Sequence, residues 1–197
     1  AWVRAREVEH EFALALQRNL LPASLPHRPD LTVEAEYLPA NGVFDVGGDW
    51  YDVLERPDGG TMLVVGDVVG HGVAAIGAMG QLSSVCRAVA DEASPAMLLD
   101  YLDRLARRVP SAVGATAVCV LIDADRTSAT YTIAGHPRPL LVEGGEVTEL
   151  NDGVSTPLGY SDEQRVEAVV RLARPSTLVL FTDGLIDLIE AGVINNS

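Results

Sequence analysis

The apolar positions of the first twenty residues, Trp2, Ala5, Val8, Phe12, Leu16 and Leu20, recur at spacings of three and four. Charged residues such as Arg4, Glu7, Glu11 and Arg18 fill the gaps, so the spacing predicts an amphipathic helix that stops before Pro22. Two roles suit such a helix. It either docks on its own core, or it is a linker from an upstream domain that pairs with a second copy through Val8 and Phe12. After Pro22, Pro26 and Pro29 the period falls to two. Leu31, Val33, Ala35 and Tyr37 alternate with polar residues and predict a half-buried strand. A second strand is expected over residues 49–54, and Pro57-Asp58-Gly59-Gly60 turns it into an apolar strand that ends at Asp67.

An Ala-rich stretch, 73–90, predicts a helix packed closely against a neighbour, and Ser94-Pro95 opens another that runs to about residue 108. Residues 115–122 and 128–134 read as a hairpin around the turn 123–127. Short strands follow near Leu140, Val147, 166–172 and 177–181, then a helix over 184–190. Strands, two helices and a further run of strands predict an α+β fold with antiparallel meanders, not a βαβ alternation. The expected division is a linker helix over 1–22 and one globular domain over 23–197.

Composition narrows the function classes. Apolar residues make up 48% and charged ones 21% of the 197, a globular balance. The net charge of −14 argues against a nucleic-acid-binding surface, and so against a nuclease. Cys86 and Cys119 lie inside apolar runs and read as buried thiols in a reducing compartment. No run is long enough to span a bilayer, and the N-terminus does not resemble a signal peptide, so a cytoplasmic location is expected.

Three aspartates share one setting. Asp49 follows Gly47-Gly48, Asp67 ends an apolar strand before Val68-Val69-Gly70-His71-Gly72, and Asp183 precedes Gly184. A single Asp-Gly pair is first of all a turn signal. Three carboxylates, each after a β-rich run, favour a site for a hard cation such as Mg²⁺ or Mn²⁺. In the strand after Gly48, Asp49 shares a face with Tyr51 and Val53, which makes Asp49 the ligand candidate and Asp52 structural. His71 is expected to shape its glycine loop; His136 either faces the site or orders its loop.

The motifs as a set resemble the SpoIIE/RsbU-type branch of the PPM metal-dependent serine/threonine phosphatases. The matching pieces are Leu16-Gln17-Arg18-Asn19-Leu20-Leu21-Pro22, Val46-Gly47-Gly48-Asp49-Trp50-Tyr51-Asp52 and Gly66-Asp67-Val68-Val69-Gly70-His71-Gly72. Gly114-Ala115-Thr116-Ala117, Ala134-Gly135-His136-Pro137, Pro157-Leu158-Gly159 and Thr182-Asp183-Gly184-Leu185 complete them in family order. The resemblance implies an αββα sandwich with two metals at one edge. Asp67 would bridge both metals, the Val68 carbonyl would assist, and Asp49 and Asp183 would each serve one. It implies hydrolysis of phosphoserine or phosphothreonine on a STAS-domain partner by a metal-activated water. GAF, PAS or receiver sensor domains upstream are implied too.

One departure stands out. The family carries a later Asp-Asp-x-Thr or Asp-Asp-x-Ala motif that also binds metal, and residues 184–197 contain none, although Asp187 fits an acidic position. Either the sequence stops short of that motif or the site is degenerate; the two-metal site stays the expectation, with a catalytically silent relay module as the rival reading.

Overall fold

Alternation along the central strands decides the architecture. In the computed structural model, which describes residues 15–17, 19–37 and 47–190 apart from the side chains of Asp187, Leu188 and Glu190, β1 (Trp50–Glu55) runs antiparallel to β2 (Thr61–Asp67). Strands β3 (Thr116–Ile122) and β4 (Ser128–Ala134) continue the antiparallel meander. The far edge of β4 is shared. Antiparallel β8 (Ala168–Arg171) pairs with residues 128–131, and the two-residue β7 (Val154–Ser155) pairs in parallel with Ile133 and Ala134. A second sheet has the order β6 (Glu146–Glu149), β5 (Leu140–Glu143), β9 (Ser176–Val179), all antiparallel.

Because side chains on a strand point alternately to its two faces, β3 feeds two cores. Ala117 and Cys119 pack with Met62 and Val64 of β2 against α1 (Val73–Val89) and α2 (Pro95–Ala106). Val118, Val120 and Ile122 face the other way, onto Leu141 and Leu178 of the second sheet. The fold is thus mixed α+β, with helices on one face of the larger sheet and the smaller sheet on the other. A third helix, α3 (Asp183–Glu190), follows β9.

Local chemistry explains the helix starts. Ser94, in an extended conformation, accepts a hydrogen bond from the Met97 N–H at 3.4 Å, and Pro95 occupies the first turn. Helix α1 is small-faced for the reason its sequence predicted. Leu20 from the helical residues before Pro22 sits over Gly80, where a Cβ would be 3.1 Å from its methyls. Cys86 and Cys119 are buried free thiols, with Cys119 Sγ 3.2 Å from Met62 Sδ. The strand predicted over 31–37 is corrected. Leu31 makes an isolated bridge to Arg28 and residues 32–37 join no ladder, although Leu31, Val33 and Tyr37 are half-buried between exposed neighbours and only Ala35 breaks the alternation. Residues 1–14, including Val8 and Phe12, lie outside the described residues.

One buried ion pair ties the helices to the loop after β7. Asp103 is on the inner face of α2, and both it and Arg165 are almost fully buried. Arg165 Nε and Nη2 donate to the Asp103 carboxylate at 3.1 and 2.8 Å, while Nη1 donates to Ser155 Oγ at 2.6 Å and to the Thr156 carbonyl. The Gly159 N–H donates to Asp103 Oδ1 at 2.7 Å. Removing one partner strands the other charge out of water. Asp103→Ala should therefore cost roughly 3–5 kcal/mol in urea unfolding, and replacing both residues by apolar ones should cost much less. A loss below about 1 kcal/mol in the single variant would show that the pair does not hold this loop.

Candidate metal centre

The register of the first hairpin brings two of the predicted aspartates face to face. Trp50 pairs with Gly66, and beyond that pair the Val68 N–H donates to the Gly48 carbonyl at 3.2 Å. Asp49 and Asp67 occupy the positions between, opposite each other and on the face away from the helices. The hairpin closes this tightly only because glycine stands at two positions. A Cβ on Gly48 would lie 2.3 Å from the Val68 carbonyl oxygen, and one on Gly66 would lie 2.2 Å from the Trp50 ring. The Val68 carbonyl is thereby held against the Gly48–Asp49 turn into β1.

The third aspartate arrives from the second sheet. After β9 the chain reaches Thr182, whose hydroxyl donates to Asp49 Oδ2 at 3.0 Å, and Asp183 then opens α3. The position of a Gly184 Cβ lies 3.9 Å from the same Asp49 oxygen. The electrostatics follow. Burial, then the Asp49 charge, then the Asp183 charge push the Asp67 carboxyl up to about 7. Burial first, with Asp183 adding to it, also raises Asp49, against hydrogen bonds from Thr182 and Asp67. Among the described residues no arginine forms an ion pair with Asp49 or Asp67. Oxygen donors crowded together without an arginine fit a hard divalent cation. Among the described residues, no three His, Cys, Asp or Glu side chains close into one cage. The facing pair is the core of the site, and Asp183 stands at its rim.

Asp52 is structural, as its strand face predicted. It points to the helices, takes Ser83 Oγ at 2.7 Å and Arg87 Nε at 2.7 Å, and is 1% exposed. His71 sits in an isolated bridge to Gly47, in keeping with a loop-shaping role. His136 is buried, with Nδ1 2.8 Å from Thr116 Oγ1, and Thr116 is the residue paired with Asp67 on the β3 side. Its imidazole therefore orders the strand end behind Asp67. Sequence reasoning missed the contacts of Thr116 and Thr182, and also Tyr37. The Tyr37 phenol is pushed up to about 12 by burial and by the charges of Asp49 and Asp67. Both threonines stand inside motifs already singled out, but a motif does not say which side chain its hydroxyl meets. The side chain of Asp187 lies outside the described residues.

Comparison with known proteins bears on the family and the fold. Residues 57–194 match the family described as Stage II sporulation protein E (SpoIIE). The phosphoserine phosphatase RsbP of Bacillus subtilis (strain 168) is 25% identical over 186 residues, which is 91% of this chain and 45% of that protein. The chain thus spans less than half the length of that relative. Among solved structures, the RsbU and RsbW domains of Rv1364c from Mycobacterium tuberculosis are 35% identical, with 72% of this chain and 40% of that one covered at a TM-score of 0.67. The SiaA-PP2C domain of Pseudomonas aeruginosa is 26% identical and covers 95% of this chain and 74% of its own, with a TM-score of 0.69.

Burial of His136 makes a pH prediction. Burial holds its imidazole neutral, with a pKa of about 4 against 6.5 in the unfolded chain. Between those values the unfolded state binds the extra proton, so stability falls as pH drops from about 6.5 to about 4 and this contribution is constant below. The loss is bounded at roughly 3 kcal/mol. His136→Asn should flatten that part of the stability–pH curve in urea unfolding; an unchanged slope would mean that other groups set it.

Proposed function

Since the chain belongs to the SpoIIE family, in the SpoIIE/RsbU branch of the PPM phosphatases, we propose that it is a Mg²⁺- or Mn²⁺-dependent protein phosphatase acting on phosphoserine or phosphothreonine. The observation that carries this reading is the facing Asp49–Asp67 pair, which among the described residues has no arginine in ion-pair contact and lies beside a third carboxylate. Asp67 would bridge two cations with help from the Val68 carbonyl, and Asp49 and Asp183 would each serve one. When bound, the cations supply polarisation of the phosphoryl group and a water of lowered pKa.

The chain's own residues do the positioning. Thr182 holds one Asp49 oxygen, leaving the other for the centre. The contact of Gly48 with Val68 fixes the carbonyl at the strand end. Thr116, anchored by His136, backs Asp67. A protein substrate suits a chain with a net charge of −14 and no nucleotide-binding loop in its sequence. A phosphorylated STAS-domain protein is the partner the resemblance supports, under the control of upstream sensor domains and of a dimer formed by the N-terminal helix. Among the described residues no helix is long and apolar enough to cross a membrane. The second reading, a silent relay module with this fold, draws on the absence of a closed three-ligand cage among the described residues.

Asp67→Asn separates the two. The phosphatase reading expects Mn²⁺-dependent turnover of p-nitrophenyl phosphate that EDTA abolishes and that the variant lacks. A raised Asp67 pKa has a second consequence. The metal-free protein loses stability as pH rises from about 4 to about 7, because the folded state holds the proton more tightly than the unfolded one. The variant cannot ionise there, so its metal-free melting temperature at about pH 8 should exceed that of the wild type, with no further rise on adding Mn²⁺. Full Mn²⁺-dependent turnover in Asp67→Asn would remove this centre from the reaction.

A further inference from the structure

Val69 and Tyr160 are 65% and 67% exposed, yet they come from separate loops and converge on one glycine. A Cβ on Gly114 would lie 3.4 Å from Val69 Cγ2 and 3.2 Å from the Tyr160 hydroxyl. Val113, 37% exposed, continues the surface, since the position of a Gly159 Cβ is 3.6 Å from its Cγ1. Single exposed apolar residues are ordinary on a protein surface, but a convergent set marks a place of contact. This set adjoins the candidate centre. Val69 is two residues past Asp67, and Gly114 is two before Thr116, the ladder partner of Asp67. Val68, between them, is buried in the core on the helix side. Asp67 and Val69 therefore turn to the opposite side together, about 7 Å apart along the chain.

The tyrosine is held in place from beneath. Leu158 exchanges backbone hydrogen bonds with Gly114 and Ala115, each at 2.8 Å, and the Gly159 N–H is fixed on Asp103 at 2.7 Å. Gly114 takes a φ of 85°, in the left-handed region, and its missing side chain lets the Tyr160 ring lie down over the backbone. The buried Asp103–Arg165 pair thus supports a preset aromatic ring on the open surface, and such a ring binds a partner with little further ordering. Charge narrows the partner. Val69, Val113, Gly114 and Tyr160 are all uncharged in a chain of net charge −14, so an anionic phosphoprotein meets here a surface that does not repel it. We propose that Val69 and Tyr160 form a docking surface for an apolar side chain two positions from the phosphoserine or phosphothreonine of the protein substrate. In an extended segment residues two apart point to the same side and lie about 7 Å from each other, the same step that separates Val69 from Asp67. The inference rests on the phosphatase reading above and adds to it the residues that select the substrate.

The test gives the full chain, with Mn²⁺, two synthetic phosphoserine peptides that differ only in carrying leucine or asparagine two positions to either side of the phosphoserine. The wild type should favour the leucine peptide about tenfold in kcat/KM, the discrimination a small apolar contact provides. Tyr160→Ala should reduce that preference to about twofold, and Val69→Ser should narrow it too. The ratio is the deciding readout, because a structural loss slows both peptides alike and leaves it unchanged. A wild type without preference, or a preference that Tyr160→Ala leaves intact, overturns the proposal while the phosphatase reading stands. So does turnover of p-nitrophenyl phosphate with neither peptide cleaved. Sedimentation of both proteins tests a rival occupant: self-association that Tyr160→Ala abolishes, with the peptide preference unchanged, gives the surface to a second copy of the chain. A wild type with no Mn²⁺-dependent turnover of any of the three substrates overturns both this inference and the reading beneath it.

Discussion

Two carboxylates facing each other across an antiparallel ladder repel, and partial burial strengthens the repulsion. Asp49 and Asp67 are in that position because the register of β1 and β2 leaves them no other. Their charges cannot both be carried comfortably without a positive partner, and among the described residues no arginine supplies one. Much of the surrounding structure serves to keep the two groups where they are. Gly48 and Gly66 let the strands and the Trp50 ring close in, and Thr182 reaches over from the second sheet.

The contrast with the other buried acids makes the point sharper. Asp103 receives two nitrogens of Arg165 and a backbone N–H, and Asp52 receives Ser83 and Arg87. Each is an acid whose charge is met inside the chain, as a structural carboxylate requires. Asp49 is met by the neutral Thr182 hydroxyl, and both carboxyls of the facing pair are raised. Such raised acids are a common mark of a functional site, and hard oxygen donors are what the proposed divalent cation would take.

The two ion networks, the buried Asp103–Arg165 pair and the half-exposed Arg87 on buried Asp52, also divide the labour. Arg165 clamps the loop carrying Leu158, and that loop exchanges hydrogen bonds with Gly114 and Ala115, just before the Thr116 that pairs with Asp67. Arg87 clamps the opposite side, joining β1 to the residues before Pro22. The site is thus braced from the helix layer on both flanks, while the second sheet contributes Thr182 and Asp183 from the remaining side.

Much of this was legible along the chain. β-rich apolar runs and the turns between them located β1 to β4, the Ser94-Pro95 signal located α2, and the face rule separated Asp49 from Asp52 before any coordinates, since the direction of a strand side chain depends only on its parity. The strand expected over 31–37 failed because alternation reports a half-buried surface, not a partner; residues 32–37 have no ladder to join. The two-residue β7 was invisible because two residues carry no period. What only the tertiary structure decided is which groups meet. Gln17 touches Tyr37 across 20 positions, Thr182 touches Asp49 across 133, and Arg165 finds Asp103 across 62. Local sequence sets the conformation of each segment and the face each side chain takes. The pairing of hydrogen-bonding groups so distant along the chain is fixed only when sheets and helices pack and exclude water, because only then does an unmet donor or charge become costly enough to choose its partner.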